Sequence, residues 1–194
     1  MAHLGADKLA AGLDAIRAAP AEVGSLEMIV RRPAEDGREI VEVGLLTADE
    51  GLAGDDWRAR GSRSTPDGAA DPDRQLTVMG SRVVDLLAGG DRTAWPLAGD
   101  QLYVDLDLGI ANLPAGTQLG VGDAVIEVTE PTHTGCAKFS ARFGSEALRF
   151  VNSPDGRALR LRGLNARVVR PGTVRRGDQV LRLAPPPARE AGPS

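Results

Sequence analysis

Short alternating segments, set between glycine, proline and aspartate turns, constrain this chain more than any other feature of its sequence. Residues 101–108 place Leu102, Val104, Leu106 and Leu108 on one face and Tyr103, Asp105 and Asp107 on the outward one. A period of two belongs to a strand with one face in a core, because successive side chains leave a strand on opposite sides. Residues 25–32 alternate through Leu26, Met28 and Val30, and residues 39–46 through Val41, Val43 and Leu45. The turn Pro33-Ala34-Glu35-Asp36-Gly37 between them predicts a hairpin. Further strands are expected at 75–79, 117–120, 124–129, 165–170 and 179–183. About seven short strands with helices only interspersed predict a mainly antiparallel β-barrel.

Helical periodicity is confined to a few places. Leu9, Leu13 and Ile16 recur at helical spacing over residues 7–18, with Asp7 to cap the start and Pro20 beyond the end. Residues 81–87 read as a helix capped by Ser81 and closed by Gly89-Gly90. Residues 139–151 form another, and Ser153-Pro154 opens a short further helix. Residues 49–73 are polar and rich in Gly, Pro, Asp and Arg, too long for an idle connection in a compact domain. The expected organisation is a helical extension over 1–23, one barrel domain over 24–183 and a disordered tail over 184–194 with its Pro185-Pro186-Pro187 run.

Aromatic residues make up only 3% of the 194 residues, so the core must be built from Val, Leu, Ile and Ala. One cysteine excludes an intramolecular disulfide and an all-cysteine zinc site, and it suits a reducing compartment. The first residues lack a basic stretch followed by an apolar core, and no apolar run approaches the ~20 residues that span a bilayer. A cytoplasmic protein without a membrane segment is the expectation. The net charge of −4 conceals an asymmetry. Residues 93–137 hold six acids and no Lys or Arg, whereas residues 138–182 hold eleven bases against three acids. Arginine dominates there, and its planar fork favours a two-point grip on phosphate or carboxylate. A solvated basic face is the plainer reading of the same residues. Nucleic acid is not expected as a partner, since the whole chain is acidic and no aromatic-rich basic platform is present.

One segment concentrates the chemistry. Thr132-His133-Thr134-Gly135-Cys136-Ala137-Lys138 holds the single cysteine, one of two histidines and one of two lysines, just after a strand that ends at Pro131. A lone cysteine can be a nucleophile, a metal ligand, a sulfur carrier or core filler, and free cysteine is among the most buried residue types. His133 and Lys138 can both carry positive charge, which favours the thiolate. The chain has no P-loop, no dinucleotide fingerprint, no HExxH and no G-x-S-x-G elbow.

The ordered set of segments resembles the MOSC domain, named for the C-terminal domain of molybdenum cofactor sulfurases. The segments run from Gly51-Leu52-Ala53-Gly54-Asp55 and Arg74-Gln75-Leu76-Thr77-Val78 to Gly99-Asp100-Gln101-Leu102. They continue with Leu119-Gly120-Val121-Gly122-Asp123, Gly135-Cys136, Arg162-Gly163-Leu164-Asn165 and Pro171-Gly172-Thr173-Val174-Arg175-Arg176-Gly177-Asp178. The resemblance implies a distorted, closed barrel that binds the molybdenum cofactor, with Cys136 as metal or sulfur ligand. It further implies cofactor contacts from Asp55, Arg74, Asp100, Gln101, His133, Thr134, Lys138 and Arg162. The family includes enzymes that reduce N-hydroxylated compounds, and the domain is also proposed to carry sulfur. The expected partners are therefore a separate electron donor, since no flavin or nicotinamide motif is present, or a cysteine desulfurase. Gly135 stands where the family commonly has proline, and Asp100-Gln101 where it commonly has Glu-Asn.

Overall fold

In the computed structural model, which describes residues 3–62 and 64–184, the alternating segments become strands and the longer helical ones break at glycine. The chain opens with α1 (Ala6–Ala11) and α2 (Leu13–Arg17), parted at Gly12. Next come β1 (Val23–Arg31), β2 (Glu39–Val41), β3 (Val43–Thr47), β4 (Gly51–Leu52) and α3 (Trp57–Arg60). β5 (Leu76–Gly80), α4 (Ser81–Leu87), β6 (Leu102–Asp105), β7 (Gln118–Val121) and β8 (Ala124–Val128) follow. α5 (Ala137–Phe143), α6 (Ser145–Asn152) and α7 (Pro154–Ala158) precede β9 (Leu164–Arg170), β10 (Gly172–Arg175) and β11 (Gln179–Arg182). The tail over 185–194 lies outside the described residues.

The barrel closes. Its strands run in the order β11-β7-β8-β9-β5-β6-β1, and β1 returns to pair with β11 through Val23↔Leu181 and Ser25↔Gln179. The sheet is mixed rather than purely antiparallel, because β5 and β6 pair in parallel with Val78 opposite Leu102. Between these two strands the chain passes through α4 and a 3₁₀ turn at Arg92–Ala98. Such a helical crossover lets two neighbouring strands run the same way. A second, three-stranded sheet joins β10, β3 and β4.

The predicted hairpin forms only in part. Arg31 pairs with Glu39 and Ile29 with Val41, but the chain bends at Glu42 and β3 pairs with β10 instead. The bend slips the alternation by one residue, which exchanges the two faces. Val43 and Leu45 are therefore 54% and 49% exposed, and Leu46 takes the buried place. A bulge between Leu26 and Met28, where β1 faces β6, has a similar effect. Leu26 and Ile29 enter the barrel interior, whereas Met28 and Val30 face an outer layer.

Two apolar clusters result. The interior is aliphatic and includes Leu102, Val104, Leu119, Ile126 and Val180. The outer cluster lies between the barrel and its helices and holds Trp95, Tyr103, Phe139 and Phe143, with Leu9 and Ile16 of the N-terminal helices among them. Tyr103 does leave the barrel outward, as alternation predicts, yet helices cover it completely. Its hydroxyl donates to the Trp95 carbonyl at 2.9 Å.

The helix expected over 139–151 is two helices, because Gly144 at φ 94° holds a backbone conformation that side-chain-bearing residues avoid. α4 spans its expected residues, although Ser81 makes no side-chain cap. Ser153 does cap α7, accepting from the Gly156 amide at 3.0 Å, with Pro154 in the first turn. The polar stretch 49–73 is not plain loop: it contains β4, α3 and the buried Trp57. Among the described residues no helix is long and apolar enough to cross a membrane.

Candidate functional site

The turn that ends at Asp100 organises the site. Ala98 ends the 3₁₀ turn, Gly99 and Asp100 lead from it towards β6, and Asp100 is wholly buried. A buried carboxylate needs opposite charge and donors around it. Arg162, from the segment between α7 and β9, donates Nη1 to Asp100 Oδ2 at 2.6 Å and Nη2 to the Ala98 carbonyl at 2.9 Å. His133 Nε2 lies 2.9 Å from Asp100 Oδ1. Arg162 also stacks 5.1 Å from the centroid of the Phe139 ring. One aspartate thus ties together β6, the loop after β8 and the entrance to β9.

The ionisation states follow from these contacts. Burial opposes the Asp100 charge, but Arg162 and His133 outweigh it and hold the carboxyl below the usual range. Burial and the nearby Arg162 charge push His133 below its ordinary value, against the pull of Asp100. The stable arrangement is therefore an ionised Asp100 accepting the Nε2 proton of a neutral His133. Arg162, rather than His133, is the firm cation of this cluster, since burial and the Arg162 charge both make His133 harder to protonate. Lys138 donates to Glu35 at 2.7 Å and approaches Asp36 at 3.5 Å, so its charge is compensated as well.

A second buried pair repeats the pattern. Asp55 accepts from Arg32 Nε and Nη2, both at 2.9 Å, and from the Arg32 and Trp57 amides at 3.0 and 3.1 Å. The remaining Nη1 of Arg32 donates to the Gly99 carbonyl at 2.9 Å. Gln101 completes the wall. Its Oε1 accepts from the Thr77 amide and hydroxyl at 2.7 Å, and its Nε2 donates to the Gln75 carbonyl at 3.2 Å.

These elements enclose a pocket of about 880 Å³ with Cys136 at its margin. The thiol is exposed and stands at the N-cap of α5, so it is not core filler. Six cations line the pocket, namely Arg32, Arg38, Arg60, Lys138, Arg142 and Arg162, against the carboxylates of Glu35, Asp36 and Asp56. Arg38 has no carboxylate within hydrogen-bonding reach; its side chain donates to the carbonyls of Pro96 and Gly37. Burial, then Arg142 and Arg32, lower its proton affinity. The other five cations are paired, Arg32 and Arg162 with Asp55 and Asp100 in the wall, so the surplus is the one charge of Arg38, set among guanidinium forks that can seat an anion.

The structure brings His133, Cys136, Lys138 and Arg162 to this pocket and buries Asp100 immediately behind it. Asp55 and Gln101 are enclosed in the wall and hold Arg32 and β5 in place. Arg74 is not in the lining. It is exposed and pairs with Asp71 at 3.3 Å, because the 3₁₀ turn at Pro72–Arg74 carries it away. Thr134 is exposed and outside the lining too. Arg32, Arg38 and Arg60 were not expected from the sequence. The signal for the first two was three bases around the predicted hairpin turn, Arg31, Arg32 and Arg38, which a turn has no structural need of; Arg60 lies in the polar 49–73 stretch.

Gly135 is built into its surroundings. Its amide donates to Asn152 Oδ1 at 3.0 Å, and its carbonyl accepts from Asn152 Nδ2 at 3.3 Å. A Cβ here would lie 2.7 Å from Leu148 Cδ1, and proline would also remove the donor. The residue before the thiol is thus clamped by α6 instead of being stiffened by a ring.

Comparison with known proteins agrees with this architecture. The YuaD protein from Bacillus subtilis aligns with TM-score 0.61 at 15% identity, over 81% of this chain and 94% of that one. YiiM from Escherichia coli aligns with TM-score 0.53 at 20% identity, over 82% and 70%. YiiM from Geobacillus stearothermophilus gives 0.51 at 13% identity, over 84% and 74%. At these identities the likeness is one of fold. No curated protein sequence matches significantly. The sequence profile of the MOSC domain, a family associated with the molybdenum cofactor, matches residues 66–181. That match spans more than half of the sequence, and the chain belongs to the MOSC domain family.

Proposed function

We propose that this protein binds the molybdenum cofactor in the arginine-lined pocket and reduces N-hydroxylated compounds with electrons from a separate donor protein. The observation that carries the reading is the meeting of an exposed thiol and an arginine-rich lining, in which Arg38 has no carboxylate partner, in one pocket. The residues fit the group. A thiolate is a soft donor suited to molybdenum, and guanidinium forks suit a pterin phosphate. The volume lies in the range of cofactor sites. Among the described residues no cluster of three or more His, Cys, Asp or Glu surrounds Cys136, so the other metal donors have to come from the cofactor.

In this reading Cys136 ligates the metal, and Arg38 and Arg142 hold the phosphate. Asp100 and His133 fix the loop that presents the thiol. The bound cofactor supplies the two-electron redox chemistry. Breaking the N–O bond of a hydroxylamine-type substrate consumes two electrons and two protons and releases water. Elemental analysis of the protein as isolated, beside Cys136→Ala, tests the reading. Molybdenum is expected in the wild type and missing from the variant. Wild-type protein that holds no molybdenum and takes none up from a cofactor donor would defeat it.

The exposure of Cys136 favours a second reading, in which the thiol carries sulfane sulfur delivered by a cysteine desulfurase. That reading predicts a gain of one sulfur atom at Cys136 after incubation with such an enzyme. A thiol that stays unmodified by mass spectrometry counts against it. Both readings place the protein in a reducing compartment such as the cytoplasm.

A further inference from the structure

Behind the wall formed by His133 and Arg162 lies a second cavity of about 310 Å³, and these two residues border both spaces. The loop after β8 and the stretch from α7 into β9 enclose it, with Arg157, Arg160, Arg162 and Glu130 as its charged lining. The charges there are poorly balanced. Arg162 has Asp100 as its partner, but its Nε is buried without any acceptor. Arg160 is half-buried and donates only to the carbonyls of Leu108 and Leu113. Burial, with no carboxylate to offset it, depresses its proton affinity. Arg157 makes no side-chain hydrogen bond or ion pair among the described residues, and Glu130 at the exposed rim makes none either.

A partly buried guanidinium held by carbonyls alone is costly, since desolvation is not repaid by an opposite charge. The backbone adds to this cost. Arg160 sits just beyond the end of α7 at φ 46°, in the left-handed region, where glycine is the favoured residue. An arginine at a glycine position, next to a cavity with two further arginines, points to a role for its charge. We infer that this cavity is a binding site for a small oxyanion, of the phosphate or carboxylate class, gripped by Arg157 and Arg160 with Arg162 at its back. At about 310 Å³ the cavity is at the small end of ligand sites, which suits a compact ligand. The site is distinct from the cofactor pocket and does not depend on the function proposed for it.

Inorganic phosphate is the probe, titrated at constant ionic strength with amide shifts followed by NMR. Saturable shifts are expected at Gly156, Gly163 and Leu164, which border the cavity. Arg157→Ala and Arg160→Gly should each weaken that binding about tenfold or more, the worth of a charge-assisted hydrogen bond. Arg157 is exposed, so its truncation leaves the fold intact, and Arg160→Gly installs the residue that the backbone prefers. Cys136→Ala should leave the shifts in place, which separates this site from the thiol pocket. The inference is overturned if phosphate moves only amides around Arg38 and Arg142, or if the three amides still respond with unchanged affinity in both arginine variants.

Discussion

The barrel interior and the layer outside it are both buried, yet they are built from different materials. The interior cluster is aliphatic throughout, from Leu26 and Ile29 to Val180. The outer cluster contains Trp95, Tyr103, Phe139 and Phe143, and Arg162 packs against it over the Phe139 ring. Burial of apolar area makes the interior a rigid frame without directional requirements. In the outer layer, packing shares the work with a buried charge set that determines where the Cys136 loop can sit. Damage to the interior should therefore cost stability alone, whereas damage to the outer layer should cost stability and local order together.

The sharpest way to break the comparison is Asp100→Ala. It leaves Arg162 buried without its partner, which typically destabilises by about 3–5 kcal/mol. Urea unfolding should show this loss, and amide exchange over residues 132–136 should accelerate beyond it, since His133 loses its anchor. Adding Arg162→Met removes the stranded charge and should recover a large part of the stability. If the double variant is no more stable than the single one, the buried pair is not the cause.

Leu119→Ala probes the other side. Leu119 is fully buried in the interior, and a leucine truncation there costs about 2–5 kcal/mol. Amide exchange over 132–136 should change only as far as global stability does. Selective loosening of that loop would show that the two layers are not separable in this way.

Asn152→Ala is a smaller perturbation of the outer layer. It removes both hydrogen bonds to Gly135 and should cost about 1–2 kcal/mol, since partner groups are left half-buried. The useful readout is again local: the Gly135 amide should lose its protection while the barrel amides keep theirs.

These contrasts show what was legible in the sequence. The interior was, because strands with one face in a core repeat with period two: Leu102, Val104, Leu106 and Leu108 all lie where alternation puts them. The outer layer was not, because alternation sees only in and out. Tyr103 was correctly read as outward, but nothing in its own segment says that helices will cover it. The slips at Glu42 and at Leu26/Met28 were invisible for a related reason, since bends and bulges change phase without changing composition. For the site, the segment around Cys136 stood out by its own cysteine, histidine and lysine, whereas Asp100 was found through the family resemblance. Arg32 and Arg38 were missed because they come from a distant turn, and only the fold brings that turn beside α5. Arg74 was misplaced because its 3₁₀ turn rotates it outward, a local geometry that a three-residue run does not announce.

The mildest test varies pH rather than residues. His133 has a folded-state proton affinity below its ordinary value of 6.5, set by burial and by Arg162. The unfolded chain therefore binds the proton more readily, and the stability tied to a neutral His133 is complete only above pH 6.5. It declines as pH falls from there through the folded value. Asp100, depressed below 3.8, has the same sign, so its share persists to lower pH and is lost only below 3.8. Stability should thus decline in two stages on acidification. His133→Gln, which keeps a donor for Asp100 but does not titrate, should remove the first stage and keep the second. Leu119→Ala should shift the whole profile down without changing its shape, because the interior contains no titrating group. A wild-type profile that is flat from neutral pH down to 3.8 would show that His133 is not held neutral by its surroundings, and would remove the electrostatic distinction between the two layers.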